Sequence, residues 1–154
     1  MVALSPSRAL AGKRGLDYIG VGVGAVILNE KGEILLLLRR EQPEAGRWTI
    51  PGGAVEWCET CGDALRRECR EEIGVEIDIV RILTVVDHIV KEEGAHWVSI
   101  EYLAAVSDGE ITNACSQENE QVRWFPLDKL PDKLSQPTAA ALQSYLSISN
   151  DATT

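Results

Sequence analysis

Residues 53–75 read GAVEWCETCGDALRRECREEIGV, and the spacing of charges in this stretch decides the fold. From Glu59 to Ile73 the pattern predicts a helix. Thr60, with Asp63 three residues on, suits an N-terminal cap, and Gly74 stands where a helix stop belongs. Leu65, Cys69 and Ile73 recur every four residues as an apolar stripe. Beside that stripe Glu68, Glu71 and Glu72 fall within a sector of about 100°. Like charges one turn apart repel, and placing them at the margin of a buried face adds a desolvation cost. A divalent cation relieves both, because carboxylate oxygens are the hard ligands that Mg²⁺ and Mn²⁺ take. Glu59 opens the helix, where the dipole favours an acid. Arg67 is four residues before Glu71 and can orient its carboxylate. The Pro51-Gly52-Gly53 turn can bring a bare backbone carbonyl to the same ion, since glycine allows close approach. The bland alternative is a solvated, charge-laced surface helix.

Outward from this segment, strands are expected on both sides. Ile19 to Leu28 (IGVGVGAVIL) reads as a buried strand under close backbone approach. Asn29 to Gly32 is a turn signal, and Glu33 to Leu38 is expected to complete a hairpin. A polar loop runs from Arg39 to Arg47. Val75 to Val90, Trp97 to Val106 and Val122 to Phe125 are further strands. The C-terminal part, Ser135 to Ile148, is expected to hold a helix behind Pro137, which suits the first helical position. Strands flanking a central helix, with a second helix at the end, define an α/β fold about a mixed sheet.

The bulk numbers agree with one such domain. The chain has 154 residues, 45% hydrophobic content and a formal net charge of −9, enough for one core and not two. That charge repels polyanions, so no nucleic-acid partner is expected. A small phosphorylated substrate stays admissible if a bound cation reverses the local field. The longest apolar run, Ile34 to Leu38, is strand-sized, so no membrane partner is expected. Residues 1–17 read as a flexible tail without an apolar signal region, and 18–148 as a single domain. Four cysteines in a chain of this length do not make a disulfide scaffold. The cytoplasm is the default compartment, with monomer and homodimer both open.

The segment at 53–75 resembles the Nudix box, G-x5-E-x7-R-E-U-x-E-E-x-G-U with U apolar. Gly53, Glu59, Arg67, Glu68, Cys69, Glu71, Glu72, Gly74 and Val75 stand at the required spacings. With each residue type at roughly 7% abundance, a chance match is on the order of one in a million. Cys69 departs from the usual aliphatic residue but packs as a small hydrophobe, and Cys58 replaces a common glycine. Gly46-Arg47-Trp48, Pro51-Gly52-Gly53 and Val122 to Leu127 extend the resemblance over roughly Ile19 to Leu130.

The resemblance implies a Nudix-type α/β/α sandwich with a catalytic loop-helix-loop and a C-terminal helix. It implies Mg²⁺ (or Mn²⁺) held by Glu68 and Glu72, with Glu71 close by and the Gly52 carbonyl as a further ligand. Glu59 is expected to act through water, and Arg67 to fix the glutamates. One more carboxylate is expected from the loop before Trp124, where Glu118 and Glu120 both stand. The implied reaction is attack by water on a diphosphate bridge, with Glu68 as first choice of base and Glu118 or Glu120 as second. MutT-type nucleoside triphosphate pyrophosphohydrolases, acting on a (d)NTP or oxidised NTP, resemble the chain most. An ADP-ribose or nucleotide-sugar pyrophosphatase is the alternative, and a non-catalytic nucleotide-binding module the rival from another class. The four box glutamates favour the enzyme.

Other residues carry further expectations. Arg39 and Arg47, near the expected pocket, are candidates for phosphate contact, Trp48 for stacking on a base, and His96 for approach to the substrate. Trp57-Cys58-Glu59-Thr60-Cys61 has the form of a thioredoxin site, with a thiol near a helix N-terminus. The displaced strand context argues against a redox role, and no second close cysteine pair supports zinc.

Overall fold

A computed structural model describes residues 12–152. Seven strands, β1 (Gly20–Ile27), β2 (Ile34–Arg39), β3 (Trp48–Thr49), β4 (Gly52–Ala54), β5 (Glu76–Val90), β6 (Ala95–Asp108) and β7 (Asn119–Phe125), are joined by two helices, α1 (Cys61–Ile73) and α2 (Gln136–Asp151). One sheet has the order β4-β1-β6-β5 and the other β3-β2-β7. Parallel pairing of β1 with β6 makes the first sheet mixed, while its other pairs are antiparallel. This is the α/β architecture with a C-terminal helix that the sequence implied.

The expected hairpin of residues 19–38 does not form as one. Its turn, closed by hydrogen bonds between Asn29 and Glu33, leaves only a Leu28–Ile34 bridge between the strands. The chain instead crosses there from one sheet to the other. Both strands are therefore buried on two faces. Val23, Ala25, Ile27, Leu35 and Leu37 pack against Leu65, Cys69 and Ile73 of α1. Val26, Ile34 and Leu36 pack on the opposite side with Ala141 and Leu142 of α2. Near-continuous apolar runs such as ILLLL are what two-sided burial selects.

The helix caps follow their residue types. The Thr60 hydroxyl accepts from the Asp63 N–H, and Gly74 closes α1 at φ 73°. The helix thus starts at Cys61, and Glu59 lies two residues before it instead of in its first turn. Ser135 caps α2, with Pro137 in the first turn. The strands β5 and β6 form one long hairpin whose bulges shift register three times. β7 starts at Asn119, three residues before the expected Val122.

Of the expected tail, residues 1–11 lie outside the described residues. Residues 12–17 contain a turn at 15–17 that is tied to the domain: the Gly15 carbonyl accepts from the His96 N–H, and Arg14 pairs with Glu56 at 3.2 Å. Among the described residues no helix is long and apolar enough to cross a membrane.

Candidate active site

A cavity of about 680 Å³ opens between α1, the β1–β6 face and the loop after β2. Three local devices shape it. First, the 51–53 turn lies so close to β1 that a Cβ on Gly52 would fall 1.9 Å from the Val23 carbonyl oxygen. Second, a Cβ on Gly53 would fall 2.3 Å from the Glu68 carboxyl carbon, so glycine there lets the Glu68 carboxylate lie against the turn. Third, β1 alternates glycine toward the cavity: Gly20, Gly22 and Gly24 pair with Trp97, Ser99 and Glu101 of β6. Trp97 and Glu101 lie over the spaces that the missing Cβ atoms of Gly20 and Gly24 leave.

The α1 carboxylates are held by distinct partners. Arg67 uses all five guanidinium donors. Its Nε and Nη2 meet the two Glu59 oxygens at 2.8 and 3.0 Å, and Nη2 also reaches the Ala54 carbonyl at 3.0 Å. Nη1 donates to Glu68 at 2.9 Å and to Glu71 at 3.2 Å. Hydrogen bonding from Arg67 pulls the Glu59 carboxyl down to about 2. Glu72 is buried and accepts from the Gly52 N–H at 3.0 Å. Desolvation pushes it up to about 8, against that hydrogen bond and with help from Glu68 and Glu118. Glu68 is also raised, first by desolvation, then by Glu71 and Glu118 against the pull of Arg67. Among the described residues no three His, Cys, Asp or Glu side chains are already gathered in cation-ligand geometry.

The donor set nevertheless fits a hard cation. Buried carboxylates that disfavour one another's ionisation are what such an ion compensates. Mg²⁺ in particular keeps several waters and needs only one or two protein carboxylates.

The sequence candidates divide by position. Glu68, Glu71, Glu72, Arg67, Gly52, Arg39 and Glu118 line the cavity. Glu59 reaches it through Arg67. Glu120, two residues past Glu118, does not line it, nor do Arg47, Trp48 or His96. Arg47 is exposed, donating to the Leu134 carbonyl at 3.3 Å and lying 3.8 Å from Glu44. Trp48 packs edge-on to Phe125 at a centroid distance of 4.8 Å. His96 pairs with Ile89, and strand alternation turns it to the face opposite Trp97 and Ser99. Cys58 and Cys61 are both free thiols, and burial pushes the Cys69 thiol up to about 12.

Several cavity residues carried no functional expectation. Glu101 is fully buried, its Oε1 accepting a short hydrogen bond from the Ser99 hydroxyl, and burial pushes it up to about 7. His88 Nε2 lies 2.9 Å from Glu44 Oε2, without the alignment a hydrogen bond needs. Glu44 in turn accepts from the Gln136 N–H at 3.1 and 3.2 Å, at the positive end of α2. The available signal was the lone acid in SIEYLAA, a charge amid strand-forming apolar residues.

The fold and this box-bearing helix together define a class, and direct comparison agrees. A family model for the NUDIX domain matches residues 19–145, and the chain belongs to that family. A crystal structure of a MutT NUDIX hydrolase from Burkholderia pseudomallei is 41% identical, with a TM-score of 0.78, over 83% of this chain and 98% of that one. The 8-oxo-dGDP phosphatase NUDT18 of Danio rerio is 35% identical over 105 residues, 67% of this chain but 31% of that protein. An ADP-ribose pyrophosphatase of Methanocaldococcus jannaschii is 29% identical over 78% of this chain and 69% of its own length. The chain thus spans about a third of the NUDT18 relative.

Proposed function

We propose that the chain hydrolyses a phosphoanhydride bond in a nucleoside diphosphate-linked substrate, with Mg²⁺ or Mn²⁺ held by Glu68, Glu72 and Glu118. The observation that carries this reading is the pairing of two raised, cavity-lining carboxylates on α1 with an arginine whose five donors are all engaged. Carboxylates gathered on one cavity wall and aimed by a single arginine suit both a hard cation and a proton acceptor beside the ligand, which hydrolysis needs. Bound divalent cation would neutralise the bridging and leaving oxygens of the diphosphate.

The residues then divide the work. Glu68 takes the proton of the attacking water, and Arg67 holds that carboxylate in place. Glu72, anchored by the Gly52 N–H, supplies a fixed ligand oxygen. Glu71, more exposed and paired with Arg67, steadies the guanidinium. Arg39, whose Nε donates to the Pro43 carbonyl at 2.9 Å, keeps its remaining donors for a substrate phosphate at the cavity mouth.

A nucleoside triphosphate, split to the monophosphate and pyrophosphate, is the first substrate to try. The names of relatives add nucleoside diphosphates and ADP-ribose to the panel. The test measures orthophosphate and pyrophosphate release from (d)NTPs, 8-oxo-dGTP, 8-oxo-dGDP, ADP-ribose, dinucleoside polyphosphates and NADH, with Mg²⁺ and with EDTA. Metal-dependent turnover that Glu72→Gln abolishes is expected. No turnover of any substrate, with tight calorimetric binding of one nucleotide, would replace the enzyme by a binding module.

A further inference from the structure

Glu101 raises a question that the hydrolytic reading leaves unanswered. It stands in the middle of a strand paired on both edges and has no exposed surface; among the described residues His88 is the group whose charge favours its ionised form. Among the described residues four buried side-chain polar atoms lack a hydrogen-bond partner: His88 Nε2, Glu101 Oε2, Asn113 Oδ1 and Asn119 Nδ2. The first two belong to residues of the cavity wall. Leaving a carboxylate oxygen unpartnered in the interior is among the costlier choices a fold can make. Here the fold also makes room for it, because a Cβ on Gly24 would fall 2.1 Å from that same Oε2.

Its position relative to the α1 carboxylates is fixed by strand register. Gly52, Gly24 and Glu101 are mutual partners across β4, β1 and β6. Gly52 holds Glu72 by its N–H, and Glu101 stands two strands away, about 10 Å at ordinary strand spacing. One extended nucleotide is long enough to span that distance. Along β6 the same face continues through Ser99 to Trp97, whose indole fills the gaps at Gly15 and Gly20. A flat apolar ring beside a buried acceptor is a surface suited to a heterocyclic base.

We propose that Glu101 determines base specificity, its free carboxylate oxygen and the adjoining lone pairs accepting the amide N–H and neighbouring amino group of a guanine-type edge. The inference rests on the nucleotide reading of the preceding section and narrows it. With the carboxyl ionised, above about pH 7, an adenine-type edge brings a ring-nitrogen lone pair to the same oxygen and is repelled. Specificity of this kind comes as much from the repelled competitor as from the accepted ligand. A polar group left unpaired by the wrong substrate discriminates far better than a missing methylene does.

The test compares kcat/KM for GTP, ITP and ATP, with Mg²⁺, on the full chain and on Glu101→Gln, with thermal melts of both proteins. Glutamine keeps the volume but presents one amide donor where a second acceptor stood. The wild-type chain is expected to favour GTP over ATP by about 10²-fold or more, with ITP, which lacks the amino group, between them. In Glu101→Gln the ratio should shrink at least tenfold, mainly through KM. Equal use of GTP and ATP by the wild-type chain overturns the proposal whether or not the variant folds. So does a folded Glu101→Gln with an unchanged ratio. Turnover without base preference removes this inference alone, whereas neither turnover nor calorimetric binding of any of the three removes the nucleotide reading with it.

Discussion

Glu59 lies outside α1 and Arg67 within it, yet the two form a two-pronged ion pair, with contacts of 2.8 and 3.0 Å. The loop before the helix is thereby clamped to its second turn. Because the same guanidinium reaches Glu68, the clamp also sets where a reacting carboxylate points.

Lysine at position 67 would keep the positive charge but not the fork. Arg67→Lys is expected to lower kcat/KM by about 10- to 100-fold, the usual cost of losing an outer partner of a metal ligand. Retained activity in a steady-state assay would show that the fork is dispensable.

Gly53 makes a separate prediction about the same carboxylate. A methyl group there must displace Glu68, whose carboxyl carbon would lie 2.3 Å away. A side-chain end can move more easily than backbone, so Gly53→Ala should unfold only slightly earlier than wild type while losing tenfold or more in turnover. The opposite pattern, a large drop in Tm at near-normal activity, would argue against an aligned Glu68.

Stability should fall with rising pH when the protein is stripped of metal. Glu72 and Glu101, normally near 4.5, stand at about 8 and about 7 in the fold. Between those limits the folded chain binds more protons than the unfolded one, so the stability fully present below about pH 4.5 is lost up to about pH 8. Melting curves in EDTA should show Tm declining from pH 5 to 8, and Glu72→Gln should flatten the decline. Added Mg²⁺ should raise Tm more at pH 8 than at pH 5, because the ion must displace the Glu72 proton. A Tm that climbs over this range in EDTA would contradict the buried-acid picture.

At the far side of the cavity, the Thr138 hydroxyl accepts from the Ile50 N–H at 2.9 Å and shares bonds with Ser135 and Thr49. Thr138→Val keeps the shape and strands the Ile50 N–H. A loss of about 1–3 kcal/mol is expected, a Tm decrease of several degrees for a domain of this size. Calorimetry reads it directly, and an unchanged Tm would mean that another acceptor takes over.

What could be read in advance depended on whether partners are close in sequence. Arg67 meets Glu68, Glu71 and Glu59, and Thr60 caps Asp63, all within eight residues, so local spacing arranges these, whereas Glu72 is anchored by Gly52 twenty positions away. The cavity wall is built otherwise. Gly24 meets Glu101 only through parallel pairing of β1 with β6, a contact that crosses 77 positions and leaves no local pattern. The 29–32 turn signal was real, but whether it closes a hairpin or carries the chain to a second sheet depends on what packs later against β2. His88 and His96 were indistinguishable by type. Strand alternation with the His88–Trp97 and Ile89–His96 pairings turns one toward the cavity and the other away.

The alternation of glycine along β1 has a consequence for how such a protein can change. Turnover is assigned to α1 and choice of base to β6, and β1 lies between them bearing neither. Because its bare positions accommodate side chains of β6, new substrates can be explored by replacing Trp97, Ser99 or Glu101 without disturbing the helix. The strand that permits this freedom has almost none itself: nearly any side chain introduced at Gly24 would collide with Ile50 as well as with Glu101. Diversification of this cavity is thus routed through β6.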